Sequence, residues 1–341
     1  MSRTTRVPLW AVLVLTAVAG LGFALAPPAA PTAPAGPSYR ISGPFTHDNL
    51  TVFFLHGEDQ IKGKKILTLD EALEQKKVIV HETKNVQQLS IENVSDAEVF
   101  VQAGDIVKGG QQDRVLANDM LLPPKSGKTP LASFCVEQGR WAKRGGENGK
   151  QFDSSRNALA SNPLKLAARS MADQRKVWAE VGNTQKKLKD NLKAEVRSGA
   201  SATSLQLTLE HKKLVEAVRV HVKKLQGSLD KQTDVIGCAV AINGKVNNAD
   251  VYASAGLFRK LWPKLLSSSA IEAVAEKKEK LTFGAVKPEA VTAFLADAAR
   301  GKKSEKLVGG LKEYQCDSAR CVSFETQGKG GAFLRRSYVG K

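Results

Sequence analysis

Two short stretches hold most of the residues with chemistry to offer. Gly109-Gly110-Gln111-Gln112-Asp113-Arg114 sets two amides and an acid–base pair directly after a double glycine. Glu137-Gln138-Gly139-Arg140-Trp141 repeats the mixture and adds an indole. Glycine lets a backbone approach a ligand closely. Amide and guanidinium groups give paired hydrogen bonds to planar oxygen groups, and a tryptophan face stacks on a ring. The combination suits a sugar or nucleotide-like ligand carrying an anionic group. The ligand-binding candidates are Gly109, Gly110, Gln111, Arg114, Glu137, Arg140 and Trp141. Arg114 and Arg140 would meet the anion, Trp141 would stack, and Glu137 would orient one guanidinium. The competing structural reading pairs Asp105 or Glu137 with Arg114 or Arg140 and leaves Trp141 as a cap on the core. If the protein is instead a hydrolase of a glycosidic or nucleotide-like bond, Asp105 and Glu137 are its catalytic candidates. They would then open into one cleft within about 10 Å of each other.

Other chemistries find less support. Gly127-Lys128-Thr129 matches the end of a phosphate loop, but Leu122 stands where that loop needs its first glycine, and Pro130 removes an N–H from the turn. The five histidines and four cysteines show neither a zinc-ligand spacing nor an H-E-x-x-H pattern, so neither a metal nor a cofactor is expected. Cys135 lies in the apolar run Leu131–Val136 and, like Cys238, reads as a buried thiol rather than a nucleophile. Cys316 and Cys321 are close enough to clip a small loop in an oxidising compartment, although four cysteines allow three pairings.

The elements that must position these residues form an α+β pattern. Residues 40–142 are β-rich and suggest a sandwich-like region. Strands begin with Thr51–Gly57, and Thr68 and Glu71 make a capping box for a short helix. Residues 161–231 carry apolar positions at helical spacing. They predict a long helix with Asn162 as N-cap and Pro163 in its first turn, a weak point at Gly182, a break at residues 198–201, and a second helix ending at Gly227, together a basic helical hairpin. Residues 235–341 form a smaller mixed α/β region. Asn243-Gly244 there marks a hairpin turn, and Pro288 and Gly301 bracket a helix.

The segments Gly104–Leu116, Cys135–Trp141 and Ser161–Ser170, followed by Val235–Ser254 and Leu257–Ala273, resemble the ARPP-1 family, which is named for association with ADP-ribosylglycohydrolase and rhodanese-phosphatase proteins. The resemblance covers residues 40 to 275 or more. It implies Gly109, Gly110, Gln111, Arg114, Glu137, Arg140 and Trp141 as a shared polar core, and it implies no substrate.

The chain has 341 residues and a net charge of +17, of which residues 140–231 supply +11 from 20 Lys and Arg against 9 Asp and Glu. Arg3 and Arg6 precede an uncharged apolar run from Val7 to Ala26, followed by a Pro/Ala-rich linker to residue 39. This pattern is that of an export signal, either cleaved or retained as a membrane anchor, and so predicts an envelope, periplasmic or secreted protein. If this charge binds a partner, an exported protein would meet membrane or envelope polyanions rather than specific nucleic acid; the structural alternative is a solvated charged face on the helices. The functional expectation is an exported binding or scaffold domain with a Gln/Arg/Glu/Trp patch. Its alternatives are the hydrolase and a polyanion- or membrane-binding basic hairpin.

Overall fold

The computed structural model describes residues 38–278, 281–328 and 330–341, without the side chains of Arg156 and Asn157. The expected export signal and anchor, residues 1–26, and nearly all of the linker lie outside the described residues. The described residues group into one compact unit.

Strands β1 (Arg40–His47) and β2 (Leu50–His56) form a two-residue hairpin with Asp48 at positive φ. Strand β3 (Ile66–Thr68) runs into helix α1 (Leu69–Glu74), whose capping box joins Thr68 and Glu71 in both directions. Eight short strands follow: β4 (Val78–Asn85), β5 (Gln88–Asn93), β6 (Glu98–Val101), β7 (Asp105–Gly109), β8 (Arg114–Leu116), β9 (Met120–Leu122), β10 (Gly127–Cys135) and β11 (Phe152–Leu159). The helical stretch contains α2 (Asn162–Lys165), α3 (Gln174–Leu192), α4 (Leu205–Leu209) and α5 (Lys212–Leu225). Beyond it lie β12 (Val235–Ile242), β13 (Lys245–Tyr252), α6 (Ala255–Ala275) and α7 (Pro288–Ala298). The chain closes with β14 (Lys302–Val308), β15 (Leu311–Asp317), β16 (Cys321–Gln327) and β17 (Phe333–Gly340).

The molecule is α+β with a β-rich N-terminal region, and its strands divide among three sheets. The largest is wholly antiparallel in the order β1-β2-β12-β13-β17-β16-β15-β14, so the first two strands join the C-terminal strands through the pairing of β2 with β12. The reason is visible in β2, which is buried along its whole length. Val52 and Phe54 pack with Leu257, Phe258 and Trp262 of α6, while Phe53 and Leu55 pack with Val291, Phe294 and Leu295 of α7. A strand apolar on both faces needs cover on both sides, and α6 and α7 provide it. The second sheet, β11-β7-β8-β10-β5-β4, carries both candidate stretches. The third is β3-β6-β9, with β3 and β6 parallel.

The helix expected to run unbroken from residue 162 is interrupted. A π-helical turn spans Leu166–Ser170, Ala172 takes φ +49°, and Asp173 restarts the helix by accepting hydrogen bonds from the Arg175 and Lys176 amides. The helix begins one residue earlier than expected, with Ser161 as N-cap, and the Asn162 amide donates to the Asn247 carbonyl instead. Gly182 lies inside α3 without breaking it. Helices α3 and α5 both lie against α6, where Leu188, Leu214, Val218 and Leu225 join its apolar cluster. Lys212, Lys213, Arg219, Lys223 and Lys224 are left exposed on the outer side of α5. The turn at Asn243-Gly244 is as expected, with φ of 52° and 75°. All four cysteines are buried free thiols, Cys316 and Cys321 included.

Candidate functional site

Strand pairing brings the two stretches together. Arg114 sits on the short strand β8 between Val107 of β7 and Cys135 of β10. The β7–β8 turn is closed by the Gly109 amide, which donates to Asp113 Oδ1 at 3.0 Å. Gly110 has φ +54°, and a Cβ there would lie 2.2 Å from Cζ of Phe152, so this turn takes glycine for both conformational and steric reasons.

Beneath the turn is an ionic cluster whose two carboxylates, Asp113 and Glu137, are fully buried and whose cations, Arg140 and Arg144, are partly exposed. Arg144 donates to both oxygens of Asp113 at 3.0 and 3.2 Å and to Glu147 at 2.8 Å. The Ser204 hydroxyl donates to Asp113 at 3.1 Å. Arg140 Nη2 lies 2.6 Å from Glu137 Oε2 and 3.8 Å from Asp113. Burial pushes the Asp113 carboxyl above its ordinary range against the pull of Arg144. At Glu137 burial acts in the same direction, but bonds from Arg140 and Ser201 and the charges of Arg140 and Arg144 outweigh it and hold the carboxyl below its ordinary range. Glu137 is thus ion-paired with Arg140 from beneath the surface.

A second group sits beside it. Arg114 is fully buried, and its Nη1 donates to Cys135 Sγ at 2.7 Å while Nη2 lies 3.5 Å from Glu82. The same Glu82 oxygen accepts from the Gln111 backbone N–H at 3.1 Å. The Trp141 ring lies 5.7 Å from the Arg114 guanidinium carbon and is 47% exposed. Gln111 and Arg114 thus meet at Glu82, with the exposed Trp141 ring over Arg114 and Gln111 half-buried. Arg114, expected to meet an anion, instead backs the indole, because β8 is an interior strand of its sheet. Burial raises the Cys135 thiol against the opposing charge of Arg114, as suits an inert buried thiol.

Asp105 belongs elsewhere. It is buried, pairs with Lys264 of α6 at 2.6 Å, and accepts from the Gln102 amide at 2.9 Å. Burial pushes its carboxyl up against the charge of Lys264. Asp105 and Glu137 therefore sit in different ionic clusters, each closed by its own cation, and do not form an acid/base pair over one cleft.

Sequence reasoning missed Asp113 and Arg144, and it missed a further buried network. Arg335 joins Asp119 at 2.6 Å and Asp250 at 2.7 Å. Arg169, carried by the π-helical turn, joins Asp119 at 2.8 Å and Glu313 at 2.6 Å. Asp113 stood next to Arg114 in the quoted stretch, so its acid–base adjacency was a usable signal. The Arg335 network has no local signal, since its members lie on separate strands, a helical turn and the β8–β9 loop.

The family described as ARG and Rhodanese-Phosphatase-superfamily-associated Protein domain, ARPP-1, has a model that matches residues 38–337. No curated protein and no solved structure matches the chain.

Proposed function

From the premise that the chain belongs to the ARPP-1 family, we propose that it is a binding domain rather than a hydrolase, and that it works outside the cytoplasm after export through residues 1–26. Its site would be the exposed Trp141 ring backed by Arg114, with Gln111 and Arg140 as its polar partners. The single observation carrying this reading is that 47%-exposed indole set 5.7 Å from a buried guanidinium. Large aromatic side chains left open at a polar rim are typical of contact surfaces. A ligand ring would stack on Trp141, and its anionic group would face Arg140. A hydrolase reading needs two carboxylates free to exchange protons in one cleft, and Asp105 and Glu137 are each committed to a cation.

Calorimetric titration of the full chain with ADP-ribose and with a uronic acid tests the proposal. At least one should bind, and Trp141→Ala should weaken it tenfold or more while leaving the melting temperature nearly unchanged. Binding that survives Trp141→Ala but collapses with added salt would move the site to the exposed lysines of α5. Product released during the titration would establish the hydrolase instead.

A further inference from the structure

Helix α7 covers only part of its face of the eight-stranded sheet. It ends at Ala298, and the chain then turns back as the β14–β15 hairpin, which extends the sheet beyond the helix. The register sets Lys303, Cys316, Ser323 and Tyr338 in one row across four strands on the α7 side, with Ser323 Oγ reaching the Ala298 carbonyl at 3.4 Å. Small residues fill the corner where helix and hairpin diverge. The result is a cavity of about 390 Å³, within the size range of small-molecule sites. Leu295, Ala298 and Ala299 form its wall, and Tyr314, Cys316 and Tyr338 lie on its floor.

The lining has a definite polarity. Leu295, Ala298, Cys316 and Tyr338 are each at most 9% exposed, so the floor and wall are apolar. Arg336 and Glu325 neutralise each other at 2.6 Å, and Arg336 also donates to the Tyr39 hydroxyl. Lys303 at the rim is exposed and makes no ion pair among the described residues. One uncompensated cation at the mouth of an apolar, tyrosine-floored cavity matches a flat apolar body with a single anionic group. We propose that this cavity is a second ligand site, separate from the Trp141 surface, for a small aromatic or apolar carboxylate or sulfonate. The body would lie between α7 and the tyrosines, and the anion would meet Lys303.

Two fluorescent probes and one thiol test the assignment in the full chain. Anilinonaphthalene sulfonate has the stated chemistry, and N-phenyl-1-naphthylamine is its neutral counterpart. The sulfonate should slow iodoacetamide modification of Cys316, followed by peptide mass spectrometry, and leave Cys238 unchanged. Localising the effect to one thiol removes any contribution from the apolar run at residues 7–26. Lys303→Glu should weaken sulfonate protection of Cys316 about tenfold and leave protection by the neutral probe unchanged. Ala299→Trp, at a half-buried position of the wall, should abolish the protection of Cys316 by both probes. Equal protection of Cys316 and Cys238, or no protection, would overturn the site. Sulfonate protection indifferent to Lys303→Glu would overturn its preference for anions.

Discussion

Arg335 is fully buried, and its guanidinium is held between Asp119 and Asp250 while facing the Tyr252 ring at 5.8 Å. Such a group is costly to bury alone and is tolerated because two carboxylates match it. Arg335→Met fills similar volume but strips both partners, so it should cost about 3–5 kcal/mol at neutral pH in urea unfolding. The pH dependence identifies the cause. In the native chain burial pushes Asp119 up, but Arg169, Arg335, the Ala103 amide and Thr326 outweigh it and hold the carboxyl far below its ordinary range. A depressed carboxylate contributes stability above its unfolded pKa of about 4, and that contribution is lost only as pH falls through the lower folded value. Without Arg335 the folded pKa of Asp119 rises, and protonation relieves the variant before it affects the native protein. The deficit should therefore shrink as pH is lowered from 7 towards 4; a deficit independent of pH would point to packing alone. None of this was legible along the chain, because Asp119 and Arg335 are 216 positions apart. Glu137 and Arg140 are three apart, and their pairing was foreseeable from spacing.

At the level of elements, local signals succeeded where local physics decides. The Thr68 capping box, the Asn243-Gly244 turn and the Pro288 helix start all appear where the sequence puts them. The helix from residue 162 is different, because its apolar spacing continues through a break that tertiary contacts impose. Arg169 must reach Asp119 and Glu313, and the π-helical turn that carries it leaves the next residues out of helical register. Ala172 absorbs the change at φ +49°, exposed to solvent. A left-handed conformation costs a non-glycine residue about 1–2 kcal/mol, part of which glycine returns as lost chain entropy. Ala172→Gly should raise stability by about 0.5–1 kcal/mol, seen as a higher urea midpoint at unchanged slope. Ala172→Val should lower it. No change in either variant would mean that the break is set by neither residue's backbone preference.

The composition changes near residues 142, 161 and 231 suggest three pieces, yet the pairing order ties them into one. β1 and β2 enter the large sheet only through β12, and β17 lies between β13 and β16. A fragment of residues 38–160 would retain β1 and β2 as a lone hairpin and lose the cover that α6 and α7 give to Val52, Phe53, Phe54 and Leu55. An isolated two-stranded hairpin is marginal in water, and those four side chains would form an exposed apolar surface prone to association. The same fragment would strip Asp105 of Lys264 and Asp119 of Arg335 and Arg169, leaving buried carboxylates without cations. Residues 38–341 should therefore unfold in one transition, with circular dichroism and the fluorescence of Trp141, Trp178 and Trp262 changing at the same urea concentration. Residues 38–160 should show no cooperative transition and should aggregate. A cooperative transition in that fragment would mean that the second and third sheets hold together without the large one, and that the buried ion pairs across the boundary contribute specificity rather than stability.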